Sequence, residues 1–236
     1  YAGWVGVQLF FVISGFLITG GLLDTRLAPN YFSAFLMRRI LRILPLYLFA
    51  LLVFLVALPR LVDLPTEVLR TYSQQVPLWF FVNNWTQPFS GAVYWFPHFW
   101  SLAVEEQFYL VWPAVIAFVP LRRLPALLAL LVGVSVLCRL ALLLGDAPTD
   151  TQYMFTVCRM DALVLGSAIA LATRSPGWST RLEDWALRLA FGGVAMMLAA
   201  ALVTGLYDTR NPVTILVGYS VLSAGFAGLM LLAVSC

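Results

Sequence analysis

Seven apolar stretches, each near the length of a bilayer crossing, run through the chain at approximately Trp4–Leu23, Ile43–Leu58, Phe99–Val119, Ala126–Leu144, Tyr153–Thr173, Leu189–Leu206 and Val213–Val234. The bilayer core offers no water to unpaired backbone amides, so segments of this length are expected to be α-helices. The lack of apolar and polar alternation excludes a barrel. Apolar side chains make up 62% of the 236 residues and charged ones 11%, against about 45–50% and about 25% in soluble domains. The expected fold is therefore all-α, a polytopic transmembrane helix bundle of about seven spans, forming one integral-membrane domain over residues 1–236.

All fourteen basic residues are Arg, and the net charge of +3 does not point to nucleic acid. Nine of them, Arg26, Arg38, Arg39, Arg42, Arg122, Arg123, Arg174, Arg181 and Arg188, fall in the connections 24–42, 120–125 and 174–188, while the alternate connections hold only Arg60, Arg70 and Arg210. By the positive-inside rule the arginine-rich connections are expected in the cytoplasm. The connection from Pro59 to His98 is rich in Trp and Tyr, which favour the membrane interface. Cys138, Cys158 and Cys236 form no disulfide framework, and with His98 as the single histidine no metal cluster is expected. The chain begins at Tyr1 with no readable signal peptide, and is expected to be a fragment.

Charge inside a span costs around 2.5–3.5 kcal/mol on insertion scales and marks a site by default. Glu105, Glu106, Arg139, Arg159 and Asp161 are the instances. At about 1.5 Å per residue, Glu105, Arg139 and Arg159 share a depth of roughly 8–9 Å below the outer boundary, so they can meet in a polar chamber. Structural ion pairing between helices is the competing reading. Ser101, Glu105 and Tyr109 recur every four residues, putting a hydroxyl, a carboxylate and a phenol on one helix face. Arg38, Arg39 and Arg42 offer three guanidinium forks suited to phosphate, although juxtamembrane Arg also serves topology and anionic headgroups.

Three segments taken in order carry a resemblance: Gly6 to Thr19, with Phe10, Phe11, Ser14 and Gly15; Arg38 to Tyr47; and His98 to Pro113, with Ser101 and Glu105. They resemble the signatures of the membrane acyltransferase-3 family, and Arg159 to Gly166 looks like a further stretch of it. Residue 8 is Gln where that family usually carries Asp. The resemblance implies a bacterial inner-membrane O-acetyltransferase that moves acetyl or another acyl group from acyl-CoA to a hydroxyl of a carbohydrate or glycolipid, with no metal. It also implies a catalytic histidine on a helix upstream of residue 1. On this reading Arg38, Arg39 and Arg42 hold the phosphates of a cytoplasmic donor, Glu105 orients the histidine, and Arg159 stabilises the oxyanion. Ser101 belongs to the same catalytic group. Ser14, Tyr109 and Trp100 belong to the substrate side, and Trp85, Tyr94 and Trp95 offer rings on which a sugar can stack. His98 is a conceivable base, or lines the acceptor's entrance.

An intramembrane serine hydrolase built on Ser14 fails, because residue 12 is Val and no later span holds a histidine. A secondary transporter, or a noncatalytic exporter or sensor of a small anionic or glycan ligand, stays open on the residues alone. The acceptor's identity and the oligomeric state are not written in the sequence.

Overall fold

A computed structural model describes residues 3–91, 95–175 and 211–235, with residues 188, 191–193 and 195. Apart from those few positions, the expected span Leu189–Leu206 and most of the connection 174–188 lie outside the described residues, as does Tyr94. The described residues contain helices and no strand. Gly3–Asp24 is α1 and Tyr31–Leu61 is α2. Between the second and third expected spans come three short helices, α3 (Thr66–Ser73), α4 (Val76–Trp79) and α5 (Asn83–Ser90). Then follow α6 (Phe99–Phe118), α7 (Leu124–Leu144), α8 (Thr149–Met154), α9 (Thr156–Ala172) and α10 (Tyr219–Ser235).

Five helical runs among the described residues are long and apolar enough to cross a membrane: Gly3–Asp24, Tyr31–Leu61, Leu121–Leu144, Thr149–Ala172 and Thr214–Val234. A sixth, α6, has 20 residues, which at about 1.5 Å each gives the required length. Its run of Ser101, Glu105, Glu106 and Gln107 lowers its hydropathy. Contacts fix the directions. Trp4 meets Tyr219, Phe11 meets Trp100, and Trp112 donates to Thr19, so α1, α6 and α10 run the same way. Tyr31 donates to the Pro113 carbonyl and Tyr47 stacks on Phe99, so α2 runs against them. One end of the bundle therefore collects Trp4, His98, α3–α5 and α8, and is called the aromatic end below. The opposite, arginine end collects Arg26, Arg122, Arg123 and Arg174.

The second helix departs from expectation. It begins at Tyr31, twelve residues before Ile43, so the connection shrinks from 24–42 to residues 25–30 and Arg38, Arg39 and Arg42 lie inside the helix. Charge looks like an interruption in a hydropathy profile, but Arg is a good helix former. Buried Tyr31 and Phe35 already anchor this first part of the helix. Near its other end the turn widens into a π segment over Leu52–Ala57. Pro59 follows; its ring clashes with the carbonyl four residues back, and a widened turn relieves that clash.

Lipid tails are as apolar as leucine, so helices in a bilayer associate through small residues and interhelical hydrogen bonds. The contact between α1 and α9 shows both. A Cβ added to Gly15 would sit 1.9 Å from the Leu163 carbonyl oxygen, and one added to Gly166 would sit 2.0 Å from that of Val12. Beside this crossing Trp112 Nε1 donates to Thr19 at 2.8 Å, and Thr19 donates to Ser167 at 2.7 Å. A second tie joins α7, α9 and α10: Arg139 Nη2 donates to Asp161 at 3.0 Å and to Ser220 at 2.6 Å, and Ser220 donates to Asp161 at 2.5 Å. At the arginine end Arg174 forks onto Asp24 with two 2.7 Å bonds, but both side chains are partly exposed and the pair is worth little. At the aromatic end Gln107 donates to Asn84 and the Phe81 carbonyl, and accepts from Trp85 and Thr156. These bonds fasten α5 over α6 and α9.

Gly15→Ala and Gly166→Ala should each cost about 2 kcal/mol or more, since the clash is with backbone that no rotamer change relieves. Gly133→Ala has open space around it and should leave stability unchanged or slightly raised. Thermal unfolding in detergent checks all three. Asp161→Ala should cost about 3–5 kcal/mol by leaving a buried guanidinium unpaired, while Arg139→Met combined with Asp161→Leu should recover most of that loss.

Candidate active site

Three helices bring hydroxyls, carboxylates and a guanidinium together midway through the bundle. Ser14 on α1 and Tyr109 on α6 share a 2.5 Å hydrogen bond. The Glu105 carboxyl, one turn from Tyr109 on the same face, interacts with both hydroxyls. Glu105 is 2% exposed and its Oε1 has no hydrogen-bond partner among the described residues. Glu106 Oε1 is buried and unpartnered too. The cation facing this pair is Arg39 of α2, whose guanidinium lies 5.1 Å from the Tyr109 ring centroid and 5.7 Å from that of Phe35. Gly15 forces α1 against α9, and the neighbouring Ser14 is thereby turned toward α6.

Arg39 also belongs to a second feature. A notch of about 370 Å³ opens between α1 and α2, lined by Leu17, Ile18, Gly21, Phe35, Arg38, Arg39 and Arg42. Arg38 and Arg42 are exposed at its mouth and Arg39 is half-buried at its inner side. Gly21 presents no side chain to the notch, so the space in front of the guanidinium groups stays open. One guanidinium is thus shared between the notch and the Tyr109–Glu105 centre.

The other intramembrane charges form a separate cluster nearer the aromatic end. Asp161 is taken by Arg139 and Ser220. Arg159 is fully buried, and its guanidinium is ringed by Tyr219 at 4.3 Å, Tyr153 at 5.1 Å, and Trp100 and Phe11 at 5.9 Å. The expected chamber of Glu105, Arg139 and Arg159 therefore divides in two: Glu105 faces Arg39, and the other two arginines share Tyr219. Equal depth fails too: Phe11 and Trp100, which meet Arg159, stand three and five residues before Ser14 and Glu105, so Arg159 lies roughly 5–8 Å nearer the aromatic end, and the angular facing of each helix depends on the glycine crossing.

Of the remaining expected residues, Ser101 donates to the His98 carbonyl at 2.9 Å, a local bond in the first turn of α6. Ser14 holds the place beside Glu105 that the four-residue spacing had suggested for Ser101. His98 is exposed at the start of α6, seven residues and roughly 10 Å along the axis from Glu105. Trp100 packs against Phe11 and Tyr153 in the cage. Trp85 is bonded to Gln107 and packed on Phe155, and Trp95 lies against Phe54. Both rings thus serve the packing of the connection. The part of Arg39 that joins notch and centre, and the cage of Arg159, were not readable from spacing, because each is built from helices far apart in sequence.

Known proteins similar to this chain carry O-acetyltransferase names. The chain is 31% identical over 183 residues to "O-acetyltransferase OatA" of Staphylococcus aureus, covering 71% of this chain and 30% of that protein. It is 32% identical over 186 residues to "Peptidoglycan O-acetyltransferase OatA" of Listeria monocytogenes, covering 71% of this chain and 29% of that protein. The chain thus spans about three-tenths of the length of these relatives. No solved structure matches it. The model of the acyltransferase domain, Acyl_transf_3, matches residues 1–236, and with those relatives it establishes that this membrane-helix chain belongs to the acyltransferase-3 family.

Proposed function

We propose that residues 1–236 form the membrane core of an O-acetyltransferase that passes an acyl group, acetyl in the first instance, from cytoplasmic acyl-CoA to a hydroxyl of a carbohydrate or glycolipid at the outer side of the inner membrane. The observation that carries this reading is Arg39, which lines the notch with Arg38 and Arg42 and also lies over Tyr109 beside Glu105. Coenzyme A is a polyanion with a long thioester arm. Three guanidinium forks near the arginine end suit its phosphates, and the notch leads its arm toward the centre. The likeness to the peptidoglycan O-acetyltransferase of Listeria monocytogenes supports a glycan acceptor.

In this scheme the acceptor oxygen attacks the thioester carbonyl, the C–S bond breaks, and the hydroxyl proton passes through a base to the departing thiolate. Ser14 and Tyr109 present hydroxyls beside the carboxylate, so they position the reacting groups and keep the Glu105 side chain in place. The proton acceptor is a histidine supplied from outside residues 1–236 and oriented by Glu105, as a carboxylate orients an imidazole in other acyl-transfer sites. The aromatic end faces outward and the arginine end inward, following the bias of nine Arg against three.

Two measurements on the full-length protein in membranes test this. Arg39→Gln combined with Arg42→Gln should raise the apparent KM for acetyl-CoA by about tenfold or more, as each lost charge-assisted contact is worth about 1.5 kcal/mol or more. Unchanged donor kinetics would return these arginines to a purely topological role. Glu105→Gln should lower kcat about 100-fold with little change in that KM. Full turnover would remove Glu105 from the reaction.

A further inference from the structure

Arg159 has no exposed surface, and its Nε, Nη1 and Nη2 all lack a hydrogen-bond partner among the described residues. The carboxylate close to it among the described residues, Asp161, is engaged by Arg139 and Ser220. Arg139 in turn keeps Nε and Nη1 unmatched. Two guanidinium groups thus flank Tyr219, at 4.3 and 5.8 Å, with one carboxylate between them. A buried cation with unmatched donors is among the most expensive groups a membrane protein can hold. The four rings of the cage offer their faces to the cation and leave its in-plane N–H groups without acceptors.

We propose that the Arg159 cage is an anion subsite that takes a carboxylate carried by the acceptor, so that the glycan chosen for acylation is an acidic one. The inference rests on the acyl-transfer reading above and adds the charge of the acceptor to it. A planar carboxylate pairs with the edge of a guanidinium through two parallel bonds, which is the side of Arg159 that the ring faces leave unmatched. The subsite stands at a suitable distance from the reacting centre. Phe11 and Trp100, which touch Arg159, precede Ser14 and Glu105 on the same two helices by three and five residues. That is roughly 5–8 Å along the axis, the span of one sugar ring. Tyr153 is the half-buried member of the cage, the other three rings being buried, so a ligand enters by displacing it. It is carried on the short helix α8, which is jointed to α9 at the extended residue Phe155.

Equilibrium dialysis of the purified full-length protein, with no donor present, against labelled methyl β-D-glucuronide and its neutral counterpart methyl β-D-glucoside tests the subsite. The acidic glycoside should bind saturably and at least tenfold more tightly than the neutral one. Arg159→Met should abolish that preference, and Arg159→Lys should retain part of it. Arg159→Met should also melt at the same temperature as the parent or above it, since an unpaired buried charge has been exchanged for an apolar chain. Equal binding of the two glycosides, or an undiminished preference in Arg159→Met, overturns the proposal. A clear drop in melting temperature of Arg159→Met does so as well, because it makes the cage a structural clasp. Binding is read without turnover, so failure of acyl transfer in a separate assay bears on the proposed function and leaves the subsite standing.

Discussion

The backbone contact between α1 and α9 is the constraint on which the polar chemistry of this bundle depends. Gly15 lies against Leu163 and Gly166 against Val12, with no room for a methyl group on either glycine. Because lipid supplies no hydrophobic pull between helices, such a contact fixes rotation as well as distance. Ser14 adjoins one glycine and faces Tyr109; Phe11 lies four residues before it and faces Arg159, itself two turns before Gly166. A slip of one residue along this crossing would separate Ser14 from Tyr109 and Phe11 from the guanidinium in a single movement. The hydrogen-bonded file of Trp112, Thr19 and Ser167 stands one turn further along and opposes that slip.

Division of the intramembrane charges into two groups follows from this geometry. Glu105 and Glu106 are the acidic groups of a site whose facing cation is Arg39, and Arg139, Asp161 and Arg159 form a group with two basic side chains to one acidic. At an effective dielectric of about 20, opposite charges 4 Å apart interact by about 4 kcal/mol, enough to draw Glu105 and Arg159 together if the helices allowed it. Their separation therefore reflects rigid helix packing. Each group is left with unmatched hydrogen-bonding atoms, and each is one that a ligand can complete.

Much of this was legible in the sequence, and the limits have physical causes. Six of the seven expected spans are helices, with ends within a few residues for α1, α6 and α7, because the requirement for internally bonded backbone dominates in a bilayer. The start of α2 was missed by twelve residues, since Arg38, Arg39 and Arg42 break a hydropathy pattern without breaking a helix. For the site, residue types were readable; relative depths and partners were not. Ser101 and Ser14 were both singled out, and the four-residue spacing favoured Ser101, but its hydroxyl has a carbonyl three residues back within reach. Counting residues from the helix ends pairs Glu105 with Arg139 and Arg159, whereas these lie nearer the aromatic end and α2 supplies its cation, Arg39, from the other direction along the bundle. Spacing within one helix predicts a face; it carries no information on which helix that face meets.

The unmatched polar atoms are distributed unevenly, and that asymmetry bears on how the protein is used. Among the described residues, the buried side-chain atoms with no partner belong to Gln8, Asn83, Gln87, Glu105, Glu106, Arg139, Thr151, Arg159 and Thr214. Every one lies in the half of the bundle toward the aromatic end, on the first turns of α1, α6 and α9, the last turns of α7, or the segments that cap them. In the other half, among the described residues, the buried polar side chains are Thr19 and Ser167, and both are matched, Thr19 with Trp112 and Ser167 and Ser167 with the Leu163 carbonyl. The buried polar side chains are themselves concentrated toward the aromatic end. Confinement of the unmatched atoms to one half fits a surface that meets water or a polar ligand there, since each unmatched buried donor or acceptor costs about 1–3 kcal/mol until it is satisfied. The matched half offers a polar molecule the notch of Arg38, Arg39 and Arg42 and, between other helices, a cavity of about 1100 Å³ rimmed by Asp24, Arg26, Arg122 and Arg174, so that guanidinium groups mark the entrances at this end while unmatched hydrogen-bonding atoms mark the opposite face.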